Sequence, residues 1–405
     1  MSAPPGDRRQ AWAEIDLAAI EGNAAFLVEL SAPAALCAVV KANGYGHGAV
    51  AVSRAALAGG AQWLAVALVE EGVELRQAGI EAPILVLSEP VPLAMVSVVE
   101  HGLTPTLYTS IGVQAMVSAA RAVRPGPPAV RPGPPAVRPG VGLPDGGIPV
   151  QIKIDTGMHR VGVGADQAVA LAQAVTAAPE LDLVGIWTHL AVADEPGNSF
   201  SEVQLGRLEA FRQALGEVGI VVPMIHAANS AGALAHPSAR LDMVRCGIAL
   251  YGYPPSEELA DQWSTRLRPA LSLRARVSMV KVVQAGEGIS YGLVYRPAED
   301  TVVATVPLGY ADGVSRRLGP TGGEVLVGGR RCRLAGTVTM DQVMVDCGPG
   351  SDVAVGDEVV FIGSQDGQRI GADEWARRLG TISYEVLCGI GARVPRIPGS
   401  GSGPG

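Results

Sequence analysis

From Leu36 to Leu250 the chain alternates short apolar runs with alanine-rich amphipathic segments. The apolar runs have the length of buried strands, and the segments between them repeat their apolar residues at helical spacing. The predicted strands are Leu36–Val40, Trp63–Leu68, Ile84–Leu87, Thr104–Leu107, Val150–Ile154, Leu183–Thr188, Met224–Ala227 and Met243–Leu250. Helical crossovers between strands imply a parallel sheet. Eight such units in roughly 240 residues predict an α/β fold of the (β/α)8 TIM type, with an open doubly wound sheet as the alternative.

The pattern changes after Leu250. From Leu271 onward, short strands are separated by glycine turns, which is typical of a smaller, mainly β C-terminal domain. We therefore expect a barrel domain over residues 11–265, opened by the alternating segment Ala11–Asp16, and a β domain over residues 266–397. Residues 1–10 and 398–405 are polar or rich in Pro, Gly and Ser, so a disordered N-terminus and a flexible tail are predicted.

A tandem repeat interrupts the barrel pattern over residues 123–140. The unit Val123–Ala129 recurs as Val130–Ala136 and begins again at Val137. Because proline and glycine prevent helix and strand ladders here, the repeat is predicted to be an extended, solvated insertion that lengthens a surface loop. A proline-rich docking site is the alternative interpretation.

Composition and charge exclude several classes of function. The chain has 405 residues, 48% of them hydrophobic, and a formal net charge of −8. This acidic balance disfavours nucleic acid as the main partner, since a phosphate-binding surface needs basic residues. The five scattered cysteines and six histidines show neither a C-x-x-C nor an H-E-x-x-H pattern, so no disulfide framework and no metal site are predicted. No run is long and apolar enough for a membrane span or a signal peptide, and we expect a soluble cytoplasmic protein.

Polar side chains occur where the predicted barrel strands end. The residues at or just after these carboxyl ends are Lys41, Tyr45, Lys153, Asp155, Arg160, His189, Asn229 and Ser230, and Arg245 lies in the eighth strand, just before Gly247. Each alone has a structural explanation, such as a hydrogen-bonded core histidine or an ion-paired arginine. In a barrel, however, these ends meet at one rim, which is where barrel enzymes place their active sites. Their joint placement therefore predicts a single site.

The residue types at this rim favour a phosphate-bearing cofactor. Ser230 and the backbone N–H groups of Gly247 and Ile248 follow the seventh and eighth strands, where barrels commonly bind phosphate. A phosphate site beside Lys41 at a strand end suggests pyridoxal 5'-phosphate attached to that lysine. Arg245 hardly ever gives up its proton, so an arginine facing the pyridine nitrogen would leave that nitrogen unprotonated.

A series of short motifs, spread from about Trp12 to Arg396, carries a resemblance to a known family. The first surrounds Lys41 and runs Val39-Val-Lys-Ala-Asn-Gly-Tyr-Gly-His-Gly48. The others follow in the order Ile152–Arg160, Thr188–His189, Ala227–Ser230, Arg245–Ile248, Ile289–Gly292, Gly309–Gly313, Met340–Gln342, Ser383–Val386 and Arg393–Arg396. Together they resemble the signatures of bacterial alanine racemases, which are fold-type III pyridoxal-phosphate enzymes.

The resemblance implies a two-base interconversion of L- and D-alanine that supplies D-alanine for peptidoglycan. Lys41 would serve one face of the α-carbon, and Tyr291, from the β domain of the other subunit of a homodimer, would serve the opposite face. Arg245 would be linked through His189 to Tyr291. The implied cofactor-binding residues are Lys41, Tyr45, Arg160, His189, Asn229, Ser230, Arg245, Gly247, Ile248 and Tyr384. The implied residues for the small amino-acid substrate are Arg160, Met340 and Tyr310.

Three alternatives stay open. A pyridoxal-phosphate decarboxylase of basic amino acids would share the lysine but would not need Tyr291 in the Ile289–Gly292 context. A non-catalytic pyridoxal-phosphate carrier would lack the second domain, and a broad-specificity racemase would be expected to carry an export signal. Two features depart from the family pattern: the repeat itself and Thr337, which stands where many relatives have an arginine near the site entrance.

Overall fold

The computed structural model describes residues 10–123 and 147–399, which form two compact units. One unit contains residues 18–44 and 49–268, and the other contains residues 10–17, 45–48 and 269–399. The predicted disordered segment 1–10, the insertion 123–140 and the tail 398–405 fall outside the described residues, except for Gln10, Val123, Pro398 and Gly399.

Eight parallel strands build the first unit. They follow β1 (Ala11–Ile15), which belongs to the other unit. The eight strands are β2 (Ala35–Val39), β3 (Trp63–Val66), β4 (Ile84–Val86), β5 (Thr104–Leu107), β6 (Ile148–Lys153), β7 (Leu181–Trp187), β8 (Ile225–His226) and β9 (Met243–Cys246). Their hydrogen-bonded order is β8-β7-β6-β5-β4-β3-β2-β9. Backbone bonds from Asp242 N to Ile225 O (3.0 Å) and from Arg245 N to Ala228 O (3.0 Å) link the two ends. The predicted (β/α)8 barrel is therefore confirmed in a nearly closed form, and the open-sheet alternative is wrong.

Helices separate the strands in the order that the sequence pattern predicts. They are α1 (Leu17–Ser31), α2 (Ala49–Ala58), α3 (Val69–Gln77), α4 (Met95–Glu100), α5 (Ser110–Val123), α6 (Ala165–Thr176), α7 (Phe200–Glu217), α8 (Ser230–Ala235) and α9 (Ala260–Trp263). The predicted strand Met243–Leu250 is too long, since β9 stops at Cys246. Gly247 then turns the chain into a short 3-10 helix, Ile248–Tyr251. No helix among residues 10–123 and 147–399 is long and apolar enough to cross a bilayer.

A mainly β sheet forms the second unit, as predicted. Its further strands are β10 (Leu271–Arg276), β11 (Met279–Val283), β12 (Thr301–Val306), β13 (Glu324–Val327), β14 (Arg330–Leu334), β15 (Val343–Asp346), β16 (Glu358–Gln365), β17 (Gln368–Ile370) and β18 (Arg396–Pro398). The sheet order is β11-β12-β15-β14-β13-β16-β10-β1-β18, with β17 paired to β16. Helices α10 (Ala372–Leu379) and α11 (Ser383–Cys388) complete the unit.

The first strand of the chain differs from expectation in its location. We expected Ala11 to open the barrel domain, but β1 pairs antiparallel with β10, with Ala11 opposite Ala275, and parallel with β18. The alternating pattern of Ala11–Asp16 predicts a strand, and β1 is one, but four of its five residues are buried, so both of its faces are largely covered. Alternation specifies which face is buried and leaves the partner strand undetermined, so the sequence alone could not assign β1 to the second unit.

Candidate active site

Lys41 stands at the start of a strained turn directly after β2. Ala42, Asn43 and Gly44 have φ values of 52°, 52° and 60°, and Tyr45 follows with φ 50°. The left-handed region costs a non-glycine residue about 1–2 kcal/mol, so such a run needs external support. Part of that support is local, since Asn43 Oδ1 accepts a hydrogen bond from Ala49 N at 2.9 Å. Backbone strain of this kind is concentrated at functional sites.

Glu71 supplies further support from the next βα unit. Its Oε1 accepts from Ala42 N at 2.6 Å, while its Oε2 accepts from Ala67 N at 2.8 Å and Leu68 N at 3.2 Å. One carboxylate therefore caps α3 and also holds the turn that carries Lys41. Sequence analysis missed this residue. An acidic residue in the first turn of α3 predicts a helix cap, but nothing in the sequence predicts the bond to Ala42.

Cations crowd the barrel rim at the predicted strand ends. Burial, followed by the charges of Arg160 and Arg245, lowers the pKa of Lys153 to about 7, and Lys41 acts in the same direction. Burial, followed by the charges of these three residues and of Lys153, holds the pKa of His189 well below its ordinary value, so His189 is neutral near pH 7. Of the charges that act on Lys153, only Asp155 opposes this effect. An environment with this excess of positive charge suits an anionic ligand.

Arg245 is buried against neutral acceptors. It is 3% exposed, and its guanidinium donates to Thr188 O at 2.8 Å and to Ala227 O at 3.0 Å. Burial lowers the pKa of Arg245 to about 10, which still leaves the side chain protonated at neutral pH. Its Nη2 lies 3.5 Å from His189 Nδ1, so the first link of the predicted network is at the limit of hydrogen-bond distance.

The shortest contact of Arg245 is with a residue that sequence analysis did not single out. Arg245 Nη1 lies 2.7 Å from His226 Nδ1, and His226 Nε2 lies 2.8 Å from Gln151 Oε1. Because an arginine only donates, His226 Nδ1 must accept, and Nε2–H then donates to Gln151. Burial and the charge of Arg245 keep the pKa of His226 well below its ordinary value, which agrees with this neutral form. His226 also stacks on Trp187 with ring centroids 5.7 Å apart.

The predicted phosphate-binding residues of the barrel lie close together. Ser230 Oγ accepts from Gly247 N at 2.9 Å, which joins the start of α8 to the end of β9. Asn229 caps α8 by accepting from Gly232 N at 2.9 Å, and Ile248 is fully buried in the 3-10 turn. The loops after the seventh and eighth barrel strands therefore meet as the sequence predicts.

Two further predicted cofactor residues meet within the second unit. Tyr45 and Tyr384 have ring centroids 6.0 Å apart, with Tyr384 on the short helix α11. Arg396 Nε donates to Gly46 O at 2.8 Å beside Tyr45. A Cβ at Gly46, where φ is +80°, would lie 2.5 Å from Leu387 O, so this approach requires glycine.

Tyr291 lies on an exposed turn of the second unit and is itself 69% exposed. Ile289 N donates to Tyr295 O at 2.9 Å across the base of this turn. Thr337 Oγ1 donates to Tyr291 O at 3.2 Å, and Ser290 Oγ donates back to Thr337 O at 2.6 Å. Thr337 is only 6% exposed. The buried Thr337 therefore supports the Tyr291 turn through hydrogen bonds to its backbone and to Ser290.

The predicted substrate residues Met340 and Tyr310 occupy adjoining loops of this unit. Tyr310 N donates to Thr339 O, and Ala311 N donates to Met340 O, each at 3.0 Å. Met340 is 53% exposed and Tyr310 is 42% exposed. Large side chains with this exposure are available to contact a ligand or a second chain.

A nearly closed parallel barrel with a lysine at a strand end, a cationic rim and a following β domain defines a class of two-domain barrel enzymes. The model of the alanine racemase N-terminal domain matches residues 15–255, and the model of the C-terminal domain matches residues 270–398. The chain belongs to the alanine racemase family.

Individual relatives match over nearly the whole chain. An alanine racemase of Symbiobacterium thermophilum is 45% identical over 96% of this chain and 97% of that protein, and one of Thermobifida fusca is 42% identical over 96% and 97%. Among solved structures, alanine racemase from a D-cycloserine-producing Streptomyces lavendulae superposes with a TM-score of 0.86 at 36% identity and covers 99% of both chains. Alanine racemase from E. faecalis gives the same TM-score and identity over 97% of this chain and 99% of that one.

Proposed function

We propose that this protein is an alanine racemase that interconverts L- and D-alanine with pyridoxal 5'-phosphate as cofactor. Family membership supports the reaction, since relatives of 42% and 45% identity bear that name. One structural observation carries the proposal. Lys41 lies on a strained turn after β2, at a rim that it shares with two other cations. Besides burial, the charges of Lys41, Arg160 and Arg245 all lower the pKa values of Lys153 and His189.

The chemistry of the donor groups fits an anionic, phosphorylated cofactor. The positive charges around Lys153 would be relieved by a phosphate and a phenolate, and pyridoxal 5'-phosphate carries both. Lys41 would hold the cofactor covalently, Arg160 and His189 would border its ring, and Arg245 would donate to the pyridine nitrogen. The phosphate would be bound by Tyr45, Asn229, Ser230, Gly247, Ile248 and Tyr384. When bound, the cofactor acidifies the α-proton of the substrate by withdrawing electrons from the α-carbon.

The remaining chemistry is proton transfer by two side chains of the protein. Inversion requires that one group removes the α-proton and that a different group delivers a proton to the opposite face. Lys41 and Tyr291 would fill these roles, with Arg160 and the Met340 loop binding the substrate carboxylate and Tyr310 bordering its path. Amine and phenol groups have ordinary pKa values near 10, so each base needs an environment that favours its deprotonated form.

We propose further that the active protein is a homodimer in which Tyr291 of the partner subunit completes each site. Both units expose large apolar side chains, which a dimer interface would cover. On the barrel these follow β3, β4 and β5, and on the second unit they flank Tyr291. The exposed residues are Leu68, Val91, Leu93, Ile111, Leu293 and Val294. D-Alanine made in the cytoplasm would serve peptidoglycan synthesis.

Isotope exchange tests the reaction directly. Protein with pyridoxal 5'-phosphate is incubated with L-alanine in deuterated water, and both enantiomers are followed by chiral chromatography with mass detection. We expect α-deuterated D-alanine, its loss in Lys41→Ala, and a strong reduction in Tyr291→Phe. Lys281→Ala is the matched lysine control, since Lys281 is exposed on β11. Release of CO2 from basic amino acids, without racemisation, would establish the decarboxylase alternative instead.

Mixing inactive variants tests the shared site. If each site combines Lys41 of one subunit with Tyr291 of the other, half of the sites in a heterodimer of Lys41→Ala and Tyr291→Phe contain both wild-type residues. Random re-association should then restore about a quarter of wild-type activity. No recovery, with dimers present by light scattering, would contradict the shared site while leaving the racemase proposal intact.

A further inference from the structure

The register of two neighbouring strands in the second unit places Cys332 on β14 opposite Cys347, the residue that follows β15. β14 runs antiparallel to β15, and Arg333 on β14 pairs with Asp346 on β15. The next pair in this register is Cys332 with Cys347. Both side chains point to the buried face, with exposures of 5% and 3%. None of the roles assigned above uses either thiol.

The position of this pair in the ladder determines how closely the two residues approach. Ala335 N donates to Met344 O at 2.8 Å, which makes that pair a hydrogen-bonded one. Hydrogen-bonded and non-hydrogen-bonded pairs alternate along an antiparallel ladder, so Cys332 and Cys347, three steps away, form a non-hydrogen-bonded pair. Such pairs have Cα atoms about 4.5 Å apart, which lies within the span of roughly 4.4–6.8 Å that a disulfide requires.

The two thiols also influence each other's ionisation. A hydrogen bond between them is the main cause that lowers the pKa of Cys332 and raises the pKa of Cys347. Cys347 Sγ has a second acceptor in Val345 O at 3.8 Å, so Cys347 is the member that keeps its proton. The thiolate, which is the nucleophile in thiol oxidation, therefore forms on Cys332.

We propose that Cys332 and Cys347 are an oxidation site that forms an intramolecular disulfide on exposure to a hydroperoxide. The Cys332 thiolate attacks one peroxide oxygen, which breaks the O–O bond, gives a sulfenic acid and releases hydroxide or the corresponding alkoxide. The Cys347 sulfur then attacks the sulfur of the sulfenic acid and expels its oxygen, which leaves as water with the proton of Cys347. With hydrogen peroxide, the two thiols lose two hydrogen atoms and the peroxide becomes two waters.

The disulfide would close the segment 333–346, which carries Thr337 and Met340. Asp346, next to Cys347, accepts from Tyr295 Oη at 2.5 Å, and Tyr295 pairs with Ile289 at the base of the Tyr291 turn. A covalent bond at this point therefore joins the two ends of the segment that supports the exposed loops of the second unit.

The barrel contains a comparison pair with different geometry. Cys37 on β2 lies opposite Arg245 on β9, whereas Cys246 lies opposite Ala38. Successive residues of a strand point to opposite faces, so Cys37 and Cys246 project to opposite sides of the sheet although both are fully buried. This pair should not form a disulfide, and it controls for non-specific oxidation of buried thiols.

Peptide mapping of the oxidised full-length protein tests the proposal. Folded protein with its cofactor is treated with hydrogen peroxide, quenched with catalase, unfolded in N-ethylmaleimide, and digested without reductant for mass spectrometry. We expect a linked Cys332–Cys347 peptide that lacks two hydrogen atoms and separates with dithiothreitol, while Cys37 and Cys246 are recovered alkylated. In Cys347→Ser, Cys332 should instead accumulate as sulfenic or sulfinic acid. The proposal is wrong if both thiols are recovered alkylated at doses that oxidise the exposed Cys388, or if the link forms only after unfolding.

Discussion

Replacement of Glu71 by alanine tests how far this side chain holds the turn that carries Lys41. The carboxylate accepts three backbone hydrogen bonds, one from Ala42 beyond β2 and two from Ala67 and Leu68 at the start of α3. Loss of a helix cap costs about 0.5–2 kcal/mol, and loss of a charge-assisted bond at a partly exposed position adds about 1 kcal/mol. Together these give a loss of about 2 kcal/mol, which corresponds to a fall in Tm of about 4–8 °C for a unit of this size.

The effect on activity should exceed the effect on stability. Without Glu71, the left-handed residues after Lys41 lose the hydrogen bond that Ala42 N donates to this side chain of α3, and the turn can relax toward less strained backbone angles. Displacing a reacting amine by about 1 Å can cost a factor of about 100 in rate. We expect Glu71→Ala to lower kcat by roughly 10–100-fold at temperatures far below its Tm, and Glu71→Gln, which retains an acceptor oxygen, to fall between alanine and wild type.

The assay pairs thermal unfolding with racemisation kinetics at one low temperature. Glu74→Ala is the matched control, because Glu74 lies one turn further along the same helix, is exposed, and makes no side-chain hydrogen bond to a described residue. It should change stability by less than about 0.5 kcal/mol. A Glu71→Ala protein with reduced Tm but wild-type kcat would mean that Glu71 only caps α3. Unchanged Tm and kcat would refute the hydrogen-bond argument altogether.

Three further changes have defined outcomes. Gly46→Ala should lower the free energy of unfolding by about 3–4 kcal/mol in denaturant titration. The control Gly48→Ala, at φ +102° with no atom within 4 Å of the added Cβ, should lower it by about 1–2 kcal/mol. Equal losses in the two variants would contradict the close approach at Gly46. Lys153 has a pKa of about 7 in the folded protein against an ordinary 10.5, so the unfolded chain binds more protons than the folded protein between these pH values. The free energy of unfolding of cofactor-free protein should therefore rise from pH 7 to pH 10. Lys153→Met should flatten this slope. Thr337→Val, which removes the donor to Tyr291 O, should lower kcat roughly 2–10-fold, while Thr337→Ser should keep the wild-type kcat. Equal kcat values in the two variants would show that the hydrogen bond from Thr337 does not position Tyr291.

The barrel was predictable because each of its strands carries its own signal. Apolar runs such as Ile84–Leu87 are buried on both faces, so the sequence marks their position almost to the residue. Met243–Leu250 shows the limit of this signal. Burial is equally complete in the strand Met243–Cys246 and in the 3-10 turn Ile248–Tyr251, so hydrophobicity cannot locate the boundary. β1 shows a second limit, since its pairing with β10 depends on residues more than two hundred positions away.

The site was predictable to the extent that its residues follow strand ends. Lys41, Arg160, His189 and Ser230 were singled out because a polar side chain after an apolar run is conspicuous in the sequence. His226 was missed for the opposite reason. It lies inside a predicted strand, where a histidine suggests a hydrogen-bonded core residue, and its contact with Arg245 joins β8 to β9. Contacts between elements are set by packing, and a single sequence does not contain them.

The hydrogen-bond partners of Arg245 are neutral, so they leave its positive charge at the rim without a neighbouring counter-ion among them. A carboxylate beside this arginine would form a buried ion pair and would also offset the positive charge that the rim offers to an anionic ligand. His226 satisfies one guanidinium donor without adding charge, because its own proton is held by Gln151 on the far side of the ring. Two backbone carbonyls satisfy further donors in the same way. Arg245 is thereby fixed in position with its full charge. Burial is the main cause that lowers the pKa values of Lys153 and His189, and the charges of Arg160 and Arg245 lower them further.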